Sequence, residues 1–98
     1  MADEEQDEQS AITFTGFVLS LATTAAVHFG DIADPESGQP PEPNLVAAKQ
    51  MIDILSMLQD RTRGNLSDPE AKLIDDLLYE LRMRFVQAQQ SGRRIIEP

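Results

Sequence analysis

The chain has 98 residues, no cysteine, and 17 acidic against 8 basic residues, a net charge of −9. That length holds one domain at most, and the lack of cysteine excludes disulfides, thiolate metal sites and cysteine nucleophiles. An acidic chain repels phosphate backbones and anionic lipid, which argues against nucleic-acid binding and against membrane docking through a basic face.

The charge is unevenly distributed. Residues 1–44 carry nine acids and neither Lys nor Arg, whereas residues 45–98 carry eight of each sign. Residues 1–10, MADEEQDEQS, contain no apolar cluster and read as a disordered acidic tail. They lack the features of a signal or transit peptide, so the expected location is the cytoplasm.

Residues 11–30, AITFTGFVLSLATTAAVHFG, contain no Asp, Glu, Lys or Arg. They predict a first helix from Thr13 to Phe29, with Gly30 as the glycine just past its end. Residues 31–44, DIADPESGQPPEPN, hold four of the six prolines and read as a linker. Fully extended, such a segment reaches on the order of 40 Å, enough to free the first helix from its own chain.

A second helix is predicted from Leu45 to Thr62, capped by Asn44 and stopped at Gly64. A third is predicted from Asp68 to Gln90, opened by the capping box Ser67-Asp68-Pro69-Glu70 and stopped at Gly92. Residues 91–98 read as a flexible tail. The short connection Arg63–Ser67 suits an antiparallel hairpin spanning residues 45–90. The apolar spacing agrees. Ala48, Met51, Ile52, Leu55, Leu58 and Thr62 share one face, widened by Leu45 and Ile54. Ile74, Leu77, Leu78, Leu81, Phe85 and Ala88 share the other.

Such a small bundle is marginally stable alone, and one hairpin covers only part of an uncharged helix. Gly16, Ser20 and Thr24 recur every four residues and let two helix backbones approach closely. The first helix is therefore expected to pack on a second copy or on another protein. Its interface residues would be Phe14, Gly16, Phe17, Ser20, Leu21 and Thr24. A transmembrane reading is weakened by five hydroxyl residues, by acidic flanks that set no orientation, and by the absence of interfacial Trp and Tyr.

The remaining chemistry reads as structural. His28, the single histidine, lies in the last turn of the first helix, where the dipole favours an imidazolium. Asp75, Asp76 and Glu80 have Lys72 and Arg84 within one turn and fit a salt-bridged surface. Arg82, Arg84, Arg93 and Arg94 form the only basic concentration, and Arg93 and Arg94 suit an anion or the acidic tail of a neighbouring chain, or equally a solvated tail. Met51, Met57 and Met83 with Tyr79 are ordinary packing residues at helical spacing. Asn65-Leu66-Ser67 matches a glycosylation sequon but serves more simply as a turn and cap. No catalytic, cofactor-binding or metal-ligating set emerges.

The blocks FTGFVLSLATTA (Phe14–Ala25), NLVAAKQMIDILSMLQDRTRGNLS (Asn44–Ser67) and LLYELRMRFV (Leu77–Val86), with the proline-rich break between the first two, resemble the bacterial family domain of unknown function 1844. The resemblance covers about Phe14 to Val86 and implies a cytoplasmic all-helical protein, with no activity, cofactor or site residue to carry over. The expected fold is all-α, with the first helix packed in a homo-oligomer. The expected role is a non-catalytic interaction or scaffold protein, with an apolar-ligand-binding or peripheral membrane protein using the first helix as the alternative.

Overall fold

The computed structural model describes residues 12–96, with side chains as far as Ser91. The acidic segment 1–10 and the last two residues lie outside the described residues. Three helices make up the fold: α1 (Phe14–Phe29), α2 (Leu45–Arg61) and α3 (Asp68–Ile96). No strand occurs among the described residues.

Local chemistry sets most of the helix ends. Thr13 is the cap of α1 and not its first helical residue: its backbone is extended, and its Oγ1 accepts the Gly16 N–H at 2.9 Å. At the other end Gly30 adopts φ 82°. The Gly30 and Asp31 amides donate to the carbonyls of Val27 and Ala26, each at 2.9 Å, which satisfies the helix's last acceptors. A Cβ at Gly30 would meet the Pro41 carbonyl oxygen at 3.2 Å and the Pro43 ring at 3.3 Å, so only glycine fits both the turn and the contact.

Asn44 caps α2 by accepting the Ala47 N–H through Oδ1 at 3.1 Å. The Ser67 box closes reciprocally, with Ser67 N donating to Glu70 Oε1 at 2.8 Å and Glu70 N to Ser67 Oγ at 3.3 Å. The α3 backbone then stays helical past Gly92 as far as Ile96. A single helical glycine costs only about 1 kcal/mol, too little to end a helix of that length.

Each helix supplies three residues to the core: Val18, Ala25 and Phe29 from α1, Ala48, Ile52 and Leu55 from α2, and Ile74, Leu78 and Leu81 from α3. Phe14, Leu21, Leu45, Leu58, Leu77 and Phe85 pack around them. No polar side chain is buried among the described residues. The three sets recur at three-, four- or seven-residue steps, so each helix turns one stripe inward.

Residues 31–43 do not use their extended reach. Asp34 Oδ1 accepts the Glu36 N–H at 2.9 Å, Gly38 N–H donates to the Asp34 carbonyl at 2.8 Å, and Gly38 takes φ 74°. The chain reverses there, and Asn44 N–H returns to the His28 carbonyl at 2.7 Å. The two ends of the loop are thus side by side, and α1 rests against α2 and α3 of its own chain. The prolines stiffen the loop, but an aspartate turn and a left-handed glycine set its direction.

Asp31 locks this arrangement to α3. Its two carboxylate oxygens accept from Arg84 Nε at 2.8 Å and Nη2 at 2.6 Å, and the Arg84 guanidinium lies 5.1 Å from the Phe29 ring centroid. Glu80, one turn from Arg84, is not its ion-pair partner. The hydrogen bond from Arg84 holds the Asp31 carboxyl below the usual carboxylate range. A lowered folded-state value means stability that is present at neutral pH and lost as pH falls through that value. With both side chains about one-third exposed, 34% and 38%, solvent limits the pair to about 1 kcal/mol. Asp31→Asn is expected to lower the urea midpoint at pH 7 and to flatten its decline toward pH 3. An unchanged midpoint at pH 7 would assign the pair no net stabilisation.

Candidate functional site

The core stripe of α1 leaves the opposite side of the helix uncovered. Ile12 is 94% exposed, Phe17 45% and Leu19 44%. Gly16, Ser20, Thr23 and Thr24 lie between and beside them and are exposed as well. Residues 12–30 contain no Asp, Glu, Lys or Arg, so an apolar and small-residue face meets water without a charged side chain.

Four of the six residues expected at an interface, Gly16, Phe17, Ser20 and Thr24, sit on this outer face. Phe14 and Leu21 turn the other way and pack against the chain's own core. Ile12 and Leu19 belong to the exposed set although they are not among those six. The exposure of Leu19 follows from the position of the inward stripe, which requires knowing that Val18, Ala25 and Phe29 point into the core, whereas Ile12 precedes the Thr13 cap and lies outside the helix.

Two hydroxyl groups of this face, those of Ser20 and Thr24, are already engaged. Ser20 Oγ donates to the Phe17 carbonyl at 2.7 Å, and Thr24 Oγ1 donates to the Ser20 carbonyl at 3.0 Å. Thr13 Oγ1 is the cap acceptor for Gly16. A hydroxyl bonded to its own helix loses little when water is removed, because it carries its partner with it. These bonds make the face less polar than its composition indicates, and they are not legible in residue order alone.

The other features are placed apart from it. His28 is half-buried at the end of α1, with its backbone carbonyl tied to Asn44. Lys72 pairs with Asp76 at 2.7 Å, as the one-turn spacing suggests, and Asp75 accepts from Gln59 Nε2 at 3.3 Å. Arg82 donates to Ser56 Oγ at 3.3 Å. The side chains of Arg93 and Arg94 lie outside the described ones. Met57, Met83 and Tyr79 are exposed, while Met51 packs against the core.

An open groove of about 360 Å³ runs between α2 and α3, lined by Leu45, Val46, Lys49, Gln50, Asp53, Phe85 and Gln89. A neighbouring hollow of about 260 Å³ shares Lys49, Asp53 and Phe85 with it. No α1 residue, methionine or tyrosine lines either one. Among the described residues no three His, Asp or Glu side chains are grouped to hold a metal ion. Among the same residues no helix is long and apolar enough to cross a membrane.

A family model described as Domain of unknown function (DUF1844) matches residues 11–87. That span contains all of α1, the closed loop and α2, and α3 through Gln87. No curated protein and no solved structure matches the chain.

Proposed function

The chain belongs to the family Domain of unknown function (DUF1844), and from that premise we propose that it is a small, non-catalytic helical interaction protein that associates with copies of itself through the outer face of α1. In this reading α2 and α3 form an antiparallel hairpin. The bonds Gln59–Asp75 and Ser56–Arg82 support that arrangement, since the residue numbers fall along one helix as they rise along the other.

The observation that carries the reading is the uncharged outer face of α1, with Phe17 and Leu19 exposed and the Ser20 and Thr24 hydroxyls bonded within the helix. Burying such a face removes apolar surface from water, strands no charge, and leaves the Ser20 and Thr24 donors paired within the helix. Its side chains suit contact more than reaction, because the Ser20 and Thr24 hydroxyls are held by backbone carbonyls and, among the described residues, no base is hydrogen-bonded to them. Of the alternatives on the same face, docking on an anionic lipid surface is disfavoured by Asp31, Asp34 and Glu36, which directly follow α1 and repel it.

Sedimentation velocity of the full chain at micromolar concentration, without detergent, is the test. The expected mass is a multiple of the 10.9 kDa chain. A one-chain mass, with the protein partitioning into phosphatidylcholine vesicles, would replace this reading with the lipid one.

A further inference from the structure

We infer that the groove between α2 and α3 binds a small organic monoanion with a hydrocarbon body, a medium-chain carboxylate, and that Arg82 takes its head group. The groove shares no residue with the outer face of α1, so the inference stands apart from the self-association reading.

The lining matches both parts of such a ligand. The larger hollow, about 360 Å³, alone reaches the lower end of the range of about 300–1,000 Å³ for small-molecule sites. It meets the smaller one at Lys49, Asp53 and Phe85, so the two form one continuous groove. Buried Ile52 and half-buried Phe85 give it an apolar floor. Val46 and Val86, 73% and 45% exposed, stand at its edges, where a hydrocarbon would cover them. From Val46 to Asp53 the groove follows α2 for about 10 Å, at 1.5 Å per residue. That is too short to seat a partner helix over the roughly 800 Å² per side of a stable protein interface. It suits an extended acyl chain.

Charge selects the head group. The groove is built wholly from residues 45–98, in which eight acids and eight bases cancel, so the excess acids of residues 1–44 have no part in its lining. Inside it, Lys49 Nζ is paired with Asp53 at 3.0 Å. Arg82 is the charge left over. Its guanidinium donates to the neutral Ser56 Oγ at 3.3 Å and has no carboxylate partner among the described residues. An uncompensated guanidinium beside an apolar floor suits a carboxylate, which it binds through parallel N–H···O bonds. A doubly charged phosphate would set more negative charge beside Asp53 than Arg82 offsets. Arg82 lines only the smaller hollow, and Leu45 and Gln89 line only the larger. The carboxylate therefore sits at the smaller hollow, and the hydrocarbon runs toward the start of α2.

Octanoate is the probe, with octanol as the uncharged molecule of the same length. Each is titrated into the full chain and followed by amide NMR shifts, which read affinity and location together. Octanoate is expected to give saturable shifts at Lys49, Asp53 and Phe85. Arg82→Gln is expected to weaken it about tenfold or more, the scale of a lost hydrogen bond to a charged group, and to leave octanol unchanged. Arg61→Gln removes the same charge from an exposed position outside the groove and is expected to have no effect. Circular dichroism checks that both variants keep the native helix content. Equal weakening by the two substitutions would reduce the effect to overall charge and overturn the site. Octanoate shifts centred on Phe17 and Leu19 and indifferent to Arg82→Gln would move the ligand to α1. Shifts that do not saturate would overturn the inference outright.

Discussion

If the outer face of α1 is the contact proposed above, Ser20→Lys is expected to shift the protein from an associated to a one-chain species at micromolar concentration. The substitution leaves the folded chain intact, since Ser20 is exposed on α1 and lysine is a better helix former than serine. It acts at the contact. In such a contact each new ammonium would be buried inside a surface that offers no Asp or Glu within residues 12–30. Burying an unpaired charge costs several kcal/mol, and even about 3 kcal/mol weakens the dissociation constant more than about a hundredfold. The lysine also lowers the net negative charge, so general repulsion between copies decreases while association is lost. Sedimentation equilibrium over a concentration series reads the change directly. A Ser20→Lys protein that keeps the native mass would remove Ser20, and with it the outer face of α1, from the contact.

Leu55→Ala is expected to give the largest loss of folding stability. Leu55 is fully buried, as are Val18, Ile74 and Leu78, so all three helices depend on the same core. Removing a buried leucine to alanine costs about 2–5 kcal/mol, from the lost burial and the cavity together. A small domain has only about 5–15 kcal/mol in total. With a urea dependence near 1 kcal/mol per molar, a loss of about 3 kcal/mol moves the midpoint by about 3 M. Val46→Ala is the matched control. Val46 is 73% exposed on the same helix, and surface changes of this kind stay within about 0.5 kcal/mol. Similar midpoints for the two variants would contradict the inward orientation of Leu55.

The helix limits that were legible in the sequence are those with chemistry attached. Asn44 and the Ser67–Glu70 box mark helix starts because their side-chain oxygens accept backbone protons, and Gly30 marks a stop because the chain turns left-handed there. Thr13 and Gly92 were harder to place. A threonine next to an apolar run serves equally as cap or as first helical residue, and only its bond to Gly16 decides. A glycine near a helix end is a stop only when a left-handed turn repays it, and α3 runs through Gly92.

The course of residues 31–43 was illegible for a different reason. Proline content predicts a stiff backbone but not where it bends. The bend comes from Asp34 and Gly38, and the closure from one backbone bond between His28 and Asn44. For the candidate site, the small positions Gly16, Ser20 and Thr24 were readable from spacing. The inward turn of Phe14 and Leu21 was not, because an uncharged helix of nearly uniform hydrophobicity gives little indication of which side faces in.

The absence of any buried polar side chain among the described residues has a consequence for how this bundle is specified. Hydrophobic attraction has no direction, so nine aliphatic and aromatic side chains favour compactness without fixing how far one helix slides along the next. Vertical alignment must be set at the periphery: by the amide of Asn44 on His28, by Asp31 in the fork of Arg84, and by Gln59 and Arg82 reaching across from one helix to another. The interior can therefore exchange one aliphatic residue for another of similar volume while the structure keeps its address, because the address is written on its rim.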